Sequence, residues 1–307
     1  MKFRFLCLSL FLVAQPIWAG GQNGTAGFQF LKTQMGARPA GQAGAFVAIA
    51  GDIHAIHYNP AGIAAIATRC ASFTYLRHVL DFNSGYIAYV QPRSGPGTLG
   101  VSIAYMDYGS FEKREQYGEY LGEFVANTIA FNGAYAMEPL KNLYAGVGAK
   151  YIRSSIDSYA SDAVALDGGL LYAIPSENIT VAVSFANVGK VLSAFISVKD
   201  KLPAVLRIGG SKGLAHLPLV FSVNLYKYSD EDWHGALGGE FKLSENALLR
   251  LGYDQAGRDL KVDASGDRLA GLSLGFGMIW RTLSIDYAFS SLGEIGSLNR
   301  FTLTGSF

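Results

Sequence analysis

The amino-acid sequence predicts an all-β chain: a transmembrane antiparallel β-barrel of about 14 strands, with an N-terminal plug or hatch inside its lumen. Three observations carry that reading. Apolar side chains recur at every second position through most of the chain, which is the period of a strand with one greasy face. The connections between these runs alternate between short and long, as periplasmic turns and outside loops do in bacterial barrels. No stretch after residue 20 is apolar for the ~18 residues that a spanning helix needs.

Taken from the start, residues 1–19 read as a signal peptide. Lys2 and Arg4 supply the positive region, Phe5 to Val13 an apolar run, Pro16 a break and Ala19 a small residue at the cleavage point. Removing them leaves 23 basic and 24 acidic residues and a single cysteine, Cys70. Near-neutral charge advertises no face for nucleic acid, and one cysteine excludes an internal disulfide framework. Charged residues make up only 16% of the chain, against about 25% in soluble domains, so a large apolar exterior is expected.

Residues 20–66 form a second region with no strand period. Its density of Gly and Ala, from Gly36-Ala37-Arg38 through Gly44-Ala45 and on to Asn59-Pro60-Ala61-Gly62, fits backbone packed closely in a confined space. The segment is expected to be the hatch.

Residues 67–307 are the expected barrel. Alternating runs lie near 67–78, 82–92, 97–107, 123–137, 141–154, 163–174, 178–188, 203–212, 217–228, 232–243, 246–254, 269–279, 281–290 and 298–307. Leu283, Ile285, Tyr287 and Phe289 against Ser284, Asp286 and Ala288 show the pattern, as do Phe301, Leu303 and Phe307 against Thr302, Thr304 and Ser306. Tight turns are expected at Pro92–Pro96, Glu138–Leu140, Pro175–Glu177 and Ser244–Glu245. Longer outside segments are expected at 108–122, 155–162, 189–202, 229–231, 255–268 and 291–297. In hydrocarbon every backbone N–H and C=O must be paired within the protein, so the last strand has to close on the first.

Charges at inward positions follow from the same alternation: Lys150, Arg207, Glu240, Lys242, Arg250, Asp286 and Arg300. On the lipid side a basic residue costs about 2–4 kcal/mol at mid-bilayer. The expected role is pairing with one another and with the plug; the competing role is selection of what enters. On the outside, Tyr108, Phe111, Arg114, Tyr117 and Tyr120 combine aromatic rings with a guanidinium, as contact surfaces do.

Neither a catalytic site nor a cofactor or metal site is expected. Gly271-Leu272-Ser273-Leu274-Gly275 matches a nucleophile-elbow pattern, but that motif needs a strand-to-helix turn and here it sits in an alternating run. His54-x-x-His57 lacks a third ligand. The aspartates at 254, 259, 263 and 267 do not have the spacing of a calcium loop.

The N-terminal block and the final strand, Asn299-Arg300-Phe301-Thr302-Leu303, resemble the PorV/PorQ family of outer-membrane proteins, within the wider FadL-like group. The matching elements are Gly36-Ala37-Arg38, Gly44-Ala45 and Asn59-Pro60-Ala61-Gly62-Ile63-Ala64, with Ile63 for the family's usual Leu. The resemblance implies a 14-strand barrel with an inward-folded hatch, in the bacterial outer membrane. It implies a non-enzymatic role in docking or translocating cargo, with type IX secretion proteins or exported cargo as partners. The terminal Phe307, with apolar residues at every second position before it, resembles the recognition signal of barrel-assembly machinery, and an outer-membrane barrel is expected to meet lipid and lipopolysaccharide. The wider group implies the alternative, passive transport of hydrophobic small molecules.

Overall fold

The structure, a computed structural model, describes residues 26–79, 82–260 and 265–307. The expected signal peptide, 1–19, lies outside the described residues, as do residues 20–25 of the N-terminal region and Asp263.

Fourteen strands close into one antiparallel barrel in which each strand pairs with its sequence neighbours. They are β1 (Cys70–Arg77), β2 (Asn83–Ser94), β3 (Gly97–Arg114), β4 (Tyr120–Leu140), β5 (Leu143–Ile156), β6 (Tyr159–Ile174) and β7 (Ile179–Ser193). The second half comprises β8 (Val205–Gly213), β9 (Leu219–Tyr228), β10 (Trp233–Lys242), β11 (Ala247–Asp254), β12 (Leu272–Trp280), β13 (Leu283–Ser291) and β14 (Ser297–Ser306). Closure is made by β1 against β14, in register from Cys70↔Ser306 to Arg77↔Asn299. Phe307 extends the seam: its N–H donates to the Arg69 carbonyl at 2.9 Å, and its ring stacks near Tyr89. The closed ladder leaves no edge strand, which is the condition for placing a sheet in hydrocarbon.

The alternation sorts residues by face. Phe73, Ile87, Val101, Leu166, Leu274 and Phe301 are exposed on the outside, while Ser72, Thr74, Ser102, Ala163 and Thr302 are buried on the inside. Apolar exteriors of this extent are a liability in water and a requirement in lipid. Among the described residues no helix is long and apolar enough to cross a membrane; the crossing elements are strands.

Small inward residues leave the lumen wide, and the segment from Ala26 to Ile66 packs against them. Phe30, Leu31, Met35, Ile53, Ile56 and Ile63 form the main apolar core with inward Tyr86, Ala88, Val90, Ala134, Ile152 and Ala163. The core of this molecule is therefore inside the barrel, between the N-terminal segment and the wall.

One tight turn and three outside segments differ from expectation. The turn expected at Glu138–Leu140 lies instead at Lys141–Asn142, because β4 runs on to Leu140, which pairs with Leu143. The outside segment 108–122 is mostly strand: β3 and β4 run on together to the pair Arg114↔Tyr120, across a register shift between Asp107 and Ser110. Beyond the apolar belt nothing enforces strict alternation, so the pairing continues where the sequence pattern fades. The segment 155–162 collapses to a tight turn, with Ile156 paired to Tyr159 and Asp157 in the left-handed region at φ 54°. Asp tolerates that conformation better than most residues. Finally, β7 continues to Ser193 by absorbing a bulge between Leu166 and Gly168 of its partner β6.

Candidate functional site

The inward charges converge on the N-terminal segment. Arg38 stands in the helical turn Ala37–Gly41. It donates from Nε and Nη2 to Glu240 of β10 at 2.8 and 2.7 Å, and from Nη1 to Asp52 at 3.0 Å. Glu240 also accepts from Arg250 Nε of β11 at 2.6 Å, and Arg250 Nη1 donates to Asp286 of β13 at 2.6 Å. The chain of pairs, Asp52–Arg38–Glu240–Arg250–Asp286, ties two strands and a third to one turn of the segment. Two-pronged guanidinium–carboxylate bonds of this kind are geometrically specific as well as strong.

Asp52 continues the network. Its Oδ1 accepts the His54 backbone N–H and lies 2.9 Å from His54 Nδ1. His54 Nε2 lies 3.3 Å from Ser72 Oγ of β1, and Thr304 Oγ1 donates to that same Ser72 oxygen at 3.1 Å. Asp–His–Ser in this order has the connectivity of an acyl-transfer triad. Here Ser72 is 3% and His54 2% exposed, the serine oxygen already accepts from a threonine, and no substrate could reach it. The trio is a buried latch between segment and wall. Gly36 makes room for it: at φ +88°, a Cβ on this residue would overlap the His54 ring. Ala37 N–H donates to Thr302 Oγ1 at 2.9 Å, and Arg300 Nε donates to the Gln34 carbonyl at 3.0 Å.

On the opposite wall the Asn59-Pro60-Ala61-Gly62 element makes a second latch. Asn59 caps the 3-10 turn Pro60–Ala65 by accepting from Ala61 N–H, with proline in the first-turn position that costs no hydrogen bond. Its Nδ2 donates to Val47 O at 2.9 Å and to Leu170 O of β6 at 3.3 Å. The wall opposite is glycine. A Cβ on Gly146 of β5 would overlap Ala61 N, and one on Gly169 of β6 would overlap Asn59 Oδ1. Ala45 packs with Ala186, Val205 and Ala236.

The other inward charges separate. Lys150 pairs with Asp167 at 2.8 Å and donates to Asn187 Oδ1 at 2.8 Å, entirely within the wall. Arg207 of β8 faces the outer part of the lumen, its guanidinium 5.8 Å from the centre of the Tyr58 ring. Lys242, expected inside, is exposed at the last position of β10; its parity is inward, but the strand ends where the lumen does.

The outside residues also divide. Tyr117 is 93% exposed, Phe111 and Tyr120 are exposed, and Arg114 pairs with Glu112 at 2.5 Å on the same hairpin. Tyr108 is half-buried against Phe82, edge to face, and packs on the core; it does not belong to the exposed set. Ser273 of the elbow-like pattern lies on β12 and donates to Ser290 Oγ at 3.0 Å, as an ordinary inward serine.

Sequence reasoning did not find Asp52 and His54 as partners of Arg38 and Ser72. It also missed the outer clasp, where Asp230, between β9 and β10, accepts from Ala26 N–H, Gln29 and Lys32. Each pair is separated by tens to hundreds of residues, and no local spacing signals it.

These carboxylates set a pH dependence. Burial alone would raise the Asp52 carboxyl, but His54 and then Arg38 outweigh it and hold it below the usual carboxylate range. Burial likewise opposes ionisation of Asp230, and the Lys32 ammonium and Ala26 N–H reverse the sign. Groups depressed on folding stabilise fully above their unfolded pKa, about 4 for Asp, and lose that contribution as pH falls through the folded value. The segment is therefore expected to stay seated at pH ~5 and to loosen only well below ~4. Limited proteolysis of the region 26–66 across that range checks this; complete release by pH ~5 would refute it.

No protein-family model matches the chain. No curated protein sequence matches it. Solved structures do. The Pseudomonas putida toluene transporter TodX aligns with a TM-score of 0.62 at 11% identity, covering 89% of this chain and 98% of that one. The Ralstonia pickettii toluene transporter TbuX aligns at 0.59 and 15% identity, with the same coverages of 89% and 98%. A Pseudomonas aeruginosa FadL homologue aligns at 0.58 and 13% identity, covering 94% and 99%. At these identities the likeness concerns the fold, which is that of FadL-like outer-membrane barrels.

Proposed function

We propose that the chain is a passive outer-membrane transporter of small hydrophobic molecules, with residues 26–66 acting as the hatch of its lumen. The observation that carries this reading is where the lumen's outer cavity ends. A space of about 200 Å³ opens at the outer part of the barrel, and its floor is the N-terminal segment itself: Gln34, Ala43, Gly44, His57 and Tyr58. A molecule entering from outside meets the hatch and its polar latches. The fold shared with toluene transporters supports this reading over cargo docking of the PorV/PorQ type. The test is uptake of toluene by proteoliposomes carrying the full protein. Uptake above protein-free liposomes is expected, and it should rise further when residues 26–66 are deleted; equal rates in all three preparations would refute the reading.

One feature favours docking as a second reading. β3 and β4 are 18 and 21 residues long, against 8 for β1, so their hairpin projects past its neighbours with Phe111 stacked on Phe124 and Tyr117 and Tyr120 bare. If this paddle engages secretion components or exported cargo, deleting residues 110–121 will abolish co-purification of a partner while the barrel still shows its heat-dependent gel shift. Unchanged co-purification would exclude the paddle.

A further inference from the structure

The outer cavity contains polar groups that the fold leaves unanswered. Arg207 is 5% exposed and Asn224 of β9 is 2% exposed. Both line the cavity. Arg207 Nη1 and Asn224 Oδ1 have no hydrogen-bond partner, and among the described residues no carboxylate lies within ion-pair distance of Arg207. Lys32, the other cation of the lining, is already engaged by Asp230 and Glu231 at 3.0 and 2.6 Å. Buried polar atoms of this kind are rare enough in native proteins that each calls for an explanation. Arg207 meets the Tyr228 hydroxyl, but a buried guanidinium without a counter-charge is still the costlier of the two.

The two orphans ask for opposite things. Arg207 Nη1 lacks an acceptor, and the fork of a guanidinium suits a carboxylate. Asn224 Oδ1 lacks a donor; its orientation is set by Nδ2, which donates to the Gly44 carbonyl at 3.3 Å, so the free atom is the oxygen. On strands β8 and β9, Arg207 pairs with Tyr226 and Gly209 with Asn224, which makes Arg207 and Asn224 diagonal neighbours on the same inward face, about 7–8 Å apart at the backbone. A single small molecule can touch both. Three aromatic rings also line the cavity, Tyr58, Tyr226 and Tyr228, the last two edge to face at 5.9 Å. Of the two carboxylates in the lining, Asp254 already accepts the Tyr226 hydroxyl at 2.7 Å and the Ala256 N–H at 3.1 Å, and Glu231 pairs with Lys32 at 2.6 Å.

We infer that this cavity binds a small aromatic carboxylate that also carries a hydroxyl group. The carboxylate answers Arg207, the hydroxyl donates to Asn224, and the ring lies among the tyrosines. The volume, about 200 Å³, is below the ~300–1,000 Å³ of sites for drug-sized ligands, which limits the occupant to about one ring. The inference rests on the transporter reading only in treating the cavity as the permeant's first stop.

The experiment uses the full protein in detergent, with 4-hydroxybenzoate as the probe and benzoate, phenol and toluene as comparators, followed calorimetrically. 4-Hydroxybenzoate is expected to bind tighter than benzoate or phenol. Arg207→Gln should weaken it at least about tenfold, the scale of a lost hydrogen bond to a charged group, with Arg207→Lys falling between. The gel shift on heating shows that each variant is folded; if Arg207→Gln fails that test, the Lys variant decides. Unchanged binding in the folded Arg207 variant, or phenol binding as tightly as 4-hydroxybenzoate, overturns the inference. Toluene uptake by the same proteins separates the two ideas. Uptake without 4-hydroxybenzoate binding sinks the site and leaves the transporter, whereas binding without uptake of either compound keeps the site and sinks the transporter.

Discussion

Glu240→Ala is expected to unseat the N-terminal segment while the barrel stays closed. Glu240 accepts three charge-assisted hydrogen bonds, two from Arg38 and one from Arg250. Removing it leaves two largely buried guanidiniums sharing Asp52 and Asp286 at the two ends of the network. Breaking a buried pair by deleting one partner costs about 3–5 kcal/mol, because the remaining charge keeps its desolvation penalty. The loss falls on the interface between segment and wall. The strand ladder of β10, which runs through backbone bonds to β9 and β11, does not depend on the side chain. The variant should therefore keep its heat-dependent gel shift, become cleavable within 26–66 by protease, and leak small solutes from liposomes. Glu240→Gln, which retains an acceptor but not the charge, should fall between the two. Wild-type protease resistance in the folded Ala variant would show that Arg38 does not hold the segment.

The barrel was legible in the sequence because its environment is asymmetric. Lipid outside and a packed lumen inside force period two on every spanning strand, so all 14 strands could be marked from Leu283-x-Ile285-x-Tyr287 and its like. The pattern fails where the environment does. Past Met106, β3 leaves the apolar belt, and the paired hairpin to Arg114 reads as a loop. Lys242 carries inward parity but stands at the rim. The composition of the N-terminal segment was also legible, since Gly36, Gly44 and the Asn59–Gly62 element are what close packing requires. Its partners were not. Arg38 meets Glu240, Ala37 meets Thr302 and Asn59 meets the Leu170 carbonyl across separations of 202, 265 and 111 residues, and a single sequence holds no trace of which inward charge faces which turn. The docking reading rested on resemblance in 36–64 and 299–303; those residues seat the N-terminal segment and close the barrel, and neither role says what passes the lumen.

That seat can be blocked from the wall side. Gly169→Val on β6 is expected to prevent the Asn59 element from docking. A Cβ at this position would overlap Asn59 Oδ1, stand 2.8 Å from Asn59 Cγ and 3.1 Å from Ser184 Cβ, and valine adds two methyl groups beyond it. The wall cannot yield, because Gly169 is held in the ladder between Gly146 of β5 and Ser184 of β7. Asn59 must therefore leave, and with it go the cap on Ala61 and the bonds to Val47 and Leu170. Overpacking costs about 1–3 kcal/mol, and each stranded buried polar group adds ~1–3 kcal/mol more. Gly133→Val on β4, where an added Cβ meets nothing within 4 Å, is the control and should be silent. The measurement is liposome leakage together with protease access to 26–66. Leakage should appear in the Gly169 variant alone, and adding Asn59→Ala to it should change little, since residues in contact are not additive. Full additivity of the two substitutions, or equal leakage from the Gly133 control, would mean that Asn59 and Gly169 do not form the seat.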